Sequence, residues 1–433
     1  MQASSNTTSS RRAPWTWVPT LYFVQGIPFA VVNAVALLMY KRLGLSDTEC
    51  ALYSSWLSLP WVLKPLWSPF VELFKNNRWW IVTMQTLIAV ALGGIAFTLP
   101  TSFFFQSTLA LFFLIAFTSA THDIAADGYY MIALDEHQQA LNVGVRSLFY
   151  RVGTLFGEGA LLIIVGMLEV YTRKPAVAWS WMFMGLTLLF SLFMLYHRLV
   201  LPAGTSTEKT LRAKRDLQQT LQKIGDTFIS FLRKPHALTA IAFMLLYRLP
   251  EALLTKITPL FLNSHISVGG LGLSTQEIGF VKGTVGTIGL IVGGIIGGIV
   301  VARDGFRRWR WPMVMAISLP NIFYVLLAYY QPSNLLWIDL AILIEQFGYG
   351  FGFTLYMLFL LYYSQGESKT AHYALCTGFM ALSLLLPGLI AGWVSDTLGY
   401  YRSFLLVMAL VPITFWIASR IKVPDNFGRK KQE

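Results

Sequence analysis

Long apolar runs divide the chain into twelve segments, each about long enough to cross a lipid bilayer. A helix rises 1.5 Å per residue, so about 20 residues span the roughly 30 Å hydrocarbon core. The runs therefore predict an all-α membrane protein of twelve transmembrane helices, in two six-helix halves. They cover residues 15–40, 48–71, 79–99, 103–134, 143–170, 178–199, 238–262, 275–302, 311–330, 335–363, 371–398 and 403–421.

Polar stretches set the predicted domain organisation. The parts are a tail (1–14), a first half (15–199), a connection (200–235), a second half (236–421) and a basic tail (422–433). In the connection, apolar residues such as Leu217, Leu221 and Phe228 recur at helical spacing among basic residues. This pattern favours an amphipathic helix on the membrane surface, and a solvated linker is the open alternative.

The two halves carry the same short signature. Leu-Gly-Leu-Ser ends at Ser46 before the second run and at Ser274 before the eighth, and Glu49 and Glu277 each follow three residues later. Ser-x-x-Glu is a capping box, so both segments are predicted to begin a helix in the same way. The shared order indicates a parallel repeat of six-helix halves.

Composition and charge agree with this class. Hydrophobic residues make up 55% and charged residues 12%, which excludes a soluble domain or a disordered chain. The net charge of +12 lies mostly in alternate loops and in the tails, which predicts that both termini are cytoplasmic and contact anionic lipid. It requires no nucleic acid. Cys50 and Cys376 are predicted to be buried apolar residues, and neither a metal site nor a cofactor is expected.

Ionisable residues inside the apolar runs each cost at least about 2.5 kcal/mol at mid-bilayer, and ten of them are singled out as functional candidates. Such residues usually face a cavity or a partner. The acidic ones are Asp123, Asp127, Glu158, Glu251 and Glu345, and the basic ones are Lys64, Arg151, Arg248, Lys256 and Lys282.

The fourth run holds a pair of carboxylates on one helix face, Asp123 and Asp127. Two acids this close cannot both ionise comfortably, which makes them candidates for proton coupling. The alternative is an ion-pair clamp to Arg151 in the fifth run. The neighbouring His122 is expected to pack or to form a hydrogen bond.

Other candidates are spread over both halves. Glu158 is a second proton-coupling candidate, near mid-membrane. In the seventh run, Pro250 is expected to kink the helix, and Arg248 with Glu251 forms either an anion-binding element or a local pair. Lys256 and Lys282 have no acid at i±4, and Glu345 could pair with one of them. Gln25 and Asn33 suit hydrogen bonds to a substrate, as Lys64 and Arg151 suit its charges.

At these positions the chain resembles the AmpG-type muropeptide permeases, which are grouped with acetyl-CoA transporters within the major facilitator superfamily. The resemblance runs through nearly all twelve runs in the same order. It is carried by Leu66-Trp-Ser-Pro69, Ser119-Ala-Thr-His-Asp123-Ile-Ala-Ala-Asp127, Tyr150-Arg151-Val-Gly153, Tyr247-Arg-Leu-Pro-Glu-Ala252, Gly283-Thr-Val-Gly-Thr-Ile-Gly289, Glu345-Gln-Phe-Gly-Tyr-Gly350, Tyr373-Ala-Leu375 and residues 388–393.

The resemblance implies a proton-driven carrier of the bacterial inner membrane that imports anhydro-muropeptides (GlcNAc-anhydroMurNAc peptides) for peptidoglycan recycling. It also implies roles for Asp123, Asp127, Arg151 and Glu345. The expected partners are an anionic sugar-peptide, protons and membrane lipids, and the carrier is expected to be a monomer. Alternating access of the two halves around a midplane site is the expected mechanism.

Three alternatives stay open. Another organic anion, such as an acyl-CoA or a siderophore, is a possible substrate, since His122 stands where the family often has Gln. A membrane-embedded acyl transferase would use His122 as its base. A receptor or scaffold would need no transport pathway. We expect a transporter and no enzyme.

Overall fold

The computed structural model describes residues 13–73, 75–134, 136–202, 225, 228–365 and 369–424. Eleven of the helices in these residues are long and apolar enough to cross a membrane. The remaining position, the second, is filled by two shorter helices, Asp47–Trp56 and Leu59–Leu73. The predicted twelve-helix, all-α architecture is confirmed. The amphipathic helix predicted for the connection falls mainly on residues outside the described ranges.

We number the helices α1 to α12 in chain order. In the first half they are α1 Pro14–Arg42, α2 (Asp47–Trp56 and Leu59–Leu73), α3 Asn77–Thr98, α4 Phe104–Ala133, α5 136–172 and α6 Pro175–Val200. In the second half they are α7 Ala237–Asn263, α8 Thr275–Asp304, α9 Phe306–Tyr330, α10 Leu335–Tyr363, α11 Lys369–Leu398 and α12 Tyr400–Arg420. Helices α5 and α9 begin earlier than predicted because their first turns are polar and extend beyond the apolar run.

Both predicted capping boxes form. The Ser46 hydroxyl accepts from the Glu49 N–H, and the Glu49 carboxylate accepts from the Ser46 N–H at 3.0 Å. Ser274 and Glu277 repeat this arrangement at the start of α8, with the corresponding distance at 2.8 Å. The repeat read from the sequence is therefore also a repeat of local structure.

Several helices are interrupted at polar positions. Helix α7 breaks at Tyr247 and Arg248, and Pro250 lies in the first turn of its second segment, as expected for a residue without an N–H. Wider π-helical turns occur within α1 (Val31–Val35), α5 (Phe156–Ala160) and α8 (Gly279–Gly286). Such turns are rare and occur most often at functional sites.

Two seams of small residues join the halves. Along α5 and α8, a Cβ on Gly283 would lie 2.2 Å from the Gly159 Cα. Along α2 and α11, a Cβ on Gly392 would lie 2.0 Å from the Asp47 carbonyl oxygen. Only glycine permits these backbone approaches, so the seams are specific to this packing of the halves. Cys50 and Cys376 are buried free thiols, as predicted.

Candidate functional site

The two acids of α4 each face a cation. Asp127 accepts a hydrogen bond from the Tyr22 hydroxyl at 3.1 Å and lies 2.8 Å from Arg146 Nη2. The Arg146 guanidinium in turn lies 4.6 Å from the centre of the Tyr22 ring. Both side chains of this ion pair are about one-third exposed, at 31% each. Asp127 is therefore bound by a cation from α5 and a hydroxyl from α1.

Asp123 lies one turn away and faces α2. Its carboxylate is 3.7 Å from Lys64 Nζ, and the Gln25 and Trp61 side chains lie in position to donate to it. Gln25 has a buried Oε1 with no hydrogen-bond partner among the described residues. The structure therefore brings two predicted substrate-binding residues, Gln25 and Lys64, next to the predicted proton-coupling residue Asp123.

The predicted clamp between α4 and α5 exists, but the prediction of its basic residue was wrong. Arg151 is exposed, and Asp127 is paired with Arg146. Arg146 lies inside the predicted fifth run but was not among the ten candidates. The useful signal is its spacing: it precedes Arg151 by five residues, which puts the two on different helix faces.

In the second half, Glu345 and Glu251 are almost fully buried, at 2% and 5% exposed. Glu345 accepts from the Tyr324 hydroxyl at 2.6 Å and from Gln346 Nε2 at 2.9 Å. Glu251 accepts from Asn321 Nδ2 at 2.7 Å. Neither acid has an ion pair within 4 Å among the described residues.

Arg248 does not form the local ion pair with Glu251 that was one of the two expectations. Its guanidinium donates to the Tyr349 hydroxyl and lies 4.7 Å from the centre of the Phe353 ring. The break in α7 directs this side chain into aromatic residues of α10. A guanidinium held by aromatic rings keeps its charge and retains unused donors, and Arg248 Nε has no acceptor in the described part of the chain.

Three of the predicted polar residues lie in the π-helical turns: Asn33 in α1, Glu158 in α5 and Lys282 in α8. Lys282 and Glu158 flank the close contact of α5 with α8, where a Cβ on Gly283 would lie 2.5 Å from the Glu158 carbonyl oxygen. Lys282 is within electrostatic range of Glu158, Glu345 and Glu251, without a direct ion pair among the described residues. Glu345 was expected to pair with Lys256 or Lys282, and Lys282 is the one within its electrostatic range. Asn33 accepts from the Ser58 hydroxyl, which ties α1 to the break in α2.

Lys256 lies at a contact between the two halves. It is 5% exposed, and its Nζ donates to the Ser54 hydroxyl of α2 at 3.1 Å. It has no ion pair among the described residues. A buried ammonium with one neutral partner among the described residues thus joins α7 of the second half to α2 of the first.

Sequence reasoning missed a polar network at the end of the bundle opposite the chain termini, which we call the distal network. One part is centred on Asp47, which pairs with Lys41 and accepts from the Tyr400 hydroxyl. Beside it, Asp396 accepts from the Thr48 N–H at 2.7 Å. These contacts join the start of α2 to α11 and α12 across the two halves.

The other part of the distal network is centred on Glu169. Its carboxylate accepts from Arg42 Nη2 at 2.8 Å, from Trp179 Nε1 at 2.9 Å and from the Thr275 hydroxyl at 2.9 Å. Thr275 belongs to the second half and the other residues to the first. The two halves are thus closed against each other at this end. The sequence signal for the distal network was the presence of Lys41 and Arg42 in a loop on the side of the membrane where basic residues are few.

His122 has no carboxylate contact in the structure. It bonds Gln85 Nε2 at 3.0 Å, and Gln85 Oε1 bonds His197 Nδ1 at 3.1 Å. His197 continues to the Thr20 hydroxyl. This buried chain links α1, α3, α4 and α6, so His122 forms hydrogen bonds within the helix packing, as one of the sequence expectations had it.

Comparisons with known proteins agree with this architecture. The sequence model described as Major Facilitator Superfamily matches residues 20–375. The anhydromuropeptide permease of Escherichia coli is 25% identical over 402 residues, covering 90% of this chain and 76% of the permease. A D-xylose–proton symporter superposes with a TM-score of 0.70 at 13% identity, covering 96% of this chain and 98% of the symporter. The nucleoside transporter NupG superposes with a TM-score of 0.69 at 14% identity, covering 94% of this chain and 98% of NupG.

Proposed function

Because the chain belongs to the major facilitator superfamily, and is thus a multi-pass membrane transporter, we propose that it imports anhydro-muropeptides in symport with protons. The observation that carries the substrate is the similarity to the E. coli permease, which extends over 90% of the chain. The enzyme alternative loses its support because His122 is bonded to Gln85 and not to a carboxylate.

The arrangement of charges supports an anionic substrate. Arg248 and Lys256 are buried cations whose contacts in the described residues are neutral side chains, namely Tyr349 and Ser54. An anhydro-muropeptide has carboxylates on its peptide and a polar sugar part. Lys256, Arg248 and Lys282 supply charge for the former, and Gln25 and Asn33 supply hydrogen bonds for the latter. Lys64 and Arg151 add positive charge on the first-half side.

We place the protein in the bacterial inner membrane with both termini cytoplasmic. Lys and Arg are concentrated in the loops on the side of the termini, which supports this orientation. The distal network then lies on the periplasmic side and closes it. Substrate enters when that network opens, and leaves toward the cytoplasm when the halves rock back.

The test is uptake of labelled anhydro-muropeptide into proteoliposomes, with and without an inward-directed proton gradient. Accumulation that depends on the gradient is expected. A folded preparation that takes up none contradicts the substrate assignment and leads to a screen of other organic anions. Uptake without any effect of the gradient contradicts the proton coupling alone.

A further inference from the structure

A cluster of charges around α5, α7, α8 and α10 contains one acid more than it has cations; Arg248, Glu251 and Glu345 are buried, and Glu158 and Lys282 are partly exposed. The acids are Glu158, Glu251 and Glu345, and the cations that act on them are Arg248 and Lys282. Lys256, the next buried cation of this half, contacts Ser54. With every group ionised, the cluster would hold one uncompensated negative charge, which is unfavourable because two of its three acids, Glu251 and Glu345, are almost fully buried. One bound proton removes that imbalance.

Helix α9 brings Glu251 and Glu345 together. Asn321 donates to Glu251 and Tyr324 donates to Glu345, and these two donors are three residues apart on one helix face. Because these donors lie on one face, they hold the two carboxylates on the same side of α9, within electrostatic range of each other. The two carboxylates are therefore neighbours that come from different helices, α7 and α10.

Unpaired polar atoms show that this site is short of a donor. Asn321 is 1% exposed, and its Oδ1 accepts no hydrogen bond within the described residues. Glu251 accepts from one donor in that same part of the chain, although a carboxylate has about four acceptor sites. A carboxylic O–H on Glu251, which already contacts Asn321, would supply the missing donor. The geometry thus indicates a proton as the ligand.

The groups that face the pair come from four helices. From α7 come Arg248 and the Tyr247 hydroxyl, from α8 Lys282, from α9 Asn321 and Tyr324, and from α10 Gln346 and Tyr349. Arg248 is held by Tyr349, so Lys282 is the cation that can respond to a change in the charge of the pair. Lys282 also attracts Glu158 of the first half, at the close approach of Gly159 and Gly283.

We propose that Glu251 and Glu345 share the transported proton, and that Lys282 conveys its presence to Glu158 across the α5–α8 seam. This rests on the proposed function, since it locates the proton of a proton symporter. When the pair binds a proton, Lys282 is attracted less to its own half and more to Glu158. When the pair releases it, Lys282 returns. The acids of α4 have their own cations in Lys64 and Arg146 and carry no such excess charge.

The experiment compares two transport assays in Glu345→Gln, Glu251→Gln and wild type. In symport of one proton per substrate, a gradient of about one pH unit drives about tenfold accumulation, because each 1.4 kcal/mol is a factor of ten. We expect each Gln variant to equilibrate substrate without accumulation, yet to keep exchange of internal for external substrate at equal pH. Asp339→Asn, which changes another carboxylate of α10, is the matched control and accumulates like wild type.

Two outcomes overturn the inference. Glu345→Gln and Glu251→Gln that both accumulate substrate like wild type show that the proton binds elsewhere. A folded Gln variant that loses exchange as well as accumulation shows that its glutamate binds substrate. Wild-type protein that transports no anhydro-muropeptide contradicts the proposed function instead.

A second measurement needs no substrate. Infrared difference spectra of the wild-type protein between acid and alkaline pH are expected to contain the carbonyl band of a buried carboxylic acid, and either Gln variant removes it. A wild-type spectrum without the band, or one that both variants leave unchanged, overturns the inference whatever the substrate is.

Discussion

The two halves share a fold and a helix-start signature, but they treat buried acids differently. In the first half, Asp123 and Asp127 each face a separate cation, and Asp127 is also partly exposed. In the second half, Glu251 and Glu345 are buried and have neutral hydrogen-bond donors instead. The tyrosines Tyr22 and Tyr247, which precede the two repeats at similar offsets, differ in the same way. Tyr22 binds Asp127, whereas Tyr247 donates to the Gly352 carbonyl oxygen.

The difference separates two uses of a carboxylate in a membrane. An acid with its own cation can remain charged through a transport cycle, and so can hold helices or orient a substrate. An acid without one must be neutralised by a proton or by a moving cation. Repetition of the fold therefore leaves each half free to take a separate chemical role.

The largest expected effect concerns Lys256, a buried cation that is paired with none of these four acids. Lys256→Met is expected to reduce exchange of anionic substrate by about a hundredfold, which corresponds to about 2.7 kcal/mol of lost binding. The physical reason is that, among the described residues, its ammonium has only the Ser54 hydroxyl as a partner, so that it is available to an anion. The unfolding temperature is expected to stay the same or rise, since a buried charge is removed. Exchange is measured with purified protein in proteoliposomes, and the unfolding temperature is measured with the same protein in detergent.

Ser54→Ala is the control for Lys256→Met, because it removes the same hydrogen bond but keeps the charge. Exchange close to the wild-type rate is expected for it. Normal exchange in Lys256→Met would remove this lysine from the substrate site.

The second prediction asks whether closure at the distal end depends on a single acid. Glu169→Gln weakens charged hydrogen bonds to Arg42, Trp179 and Thr275, each of which contributes about 1.5–3 kcal/mol. The open state is expected to be populated at least about tenfold more, as 1.4 kcal/mol suffices for that shift. Labelling of Ser395→Cys, a buried position beside Asp47, by a membrane-impermeant thiol reagent measures it.

Glu277→Gln at the same end of the bundle serves as the comparison, since its carboxylate caps α8 within one half. The Ser395→Cys protein is expected to be labelled at the same rate with Glu277→Gln as without it. Equal rates for Glu169→Gln and the parent would show that the glycine seams alone keep this end closed.

The third prediction contrasts the two halves in stability. Arg146→Gln leaves Asp127 with only the Tyr22 hydroxyl and is expected to destabilise the protein by about 1 kcal/mol, the lower end of the range for a broken ion pair because this one is partly exposed. Glu345→Gln removes uncompensated charge and is expected to cost nothing or to stabilise. Thermal unfolding in one detergent measures both.

Arg146→Gln combined with Asp127→Asn is expected to recover most of the lost stability, because no unpaired acid remains. If Glu345→Gln proved as destabilising as Arg146→Gln, the contrast between paired and proton-binding acids would not hold.

The smallest expected effect tests the feature that the halves have in common. Ser46→Ala and Ser274→Ala each remove an N-cap and are expected to cost about 1 kcal/mol. The two losses are expected to agree within about 0.5 kcal/mol, because the cap geometry is the same in both halves. Thermal unfolding measures them, and Ser419→Ala near the end of α12 is a surface control. Clearly unequal losses would show that the two caps, although alike in sequence and geometry, do not stabilise their halves equally.

Much of the fold could be read from local patterns. Apolar runs near 20 residues and Ser-x-x-Glu spacings depend on neighbours in the chain, and they predicted the helices and both caps. The break of α7 at Tyr247 and Arg248 followed from Pro250 in the same way. The candidate acids and cations were also identified, since a charge in an apolar run is visible without any structure.

The pairing of those charges was not visible. Arg146 rather than Arg151 reaches Asp127, and Arg248 turns to Tyr349 rather than to Glu251. The distal network around Asp47 and Glu169 joins residues more than a hundred positions apart, so no spacing rule could find it.

By itself, then, the sequence determined the membrane class, the twelve helices, the caps and which residues carry buried charge, because each depends on hydrophobicity and hydrogen bonding within a few turns. Only the tertiary structure decided which charges neutralise each other and which are left over. The direction of a side chain is set by π-helical turns, helix breaks and close glycine contacts such as Gly159 with Gly283. In a medium that cannot solvate a charge, those few ångströms separate a structural ion pair from a site that must bind a proton or a substrate.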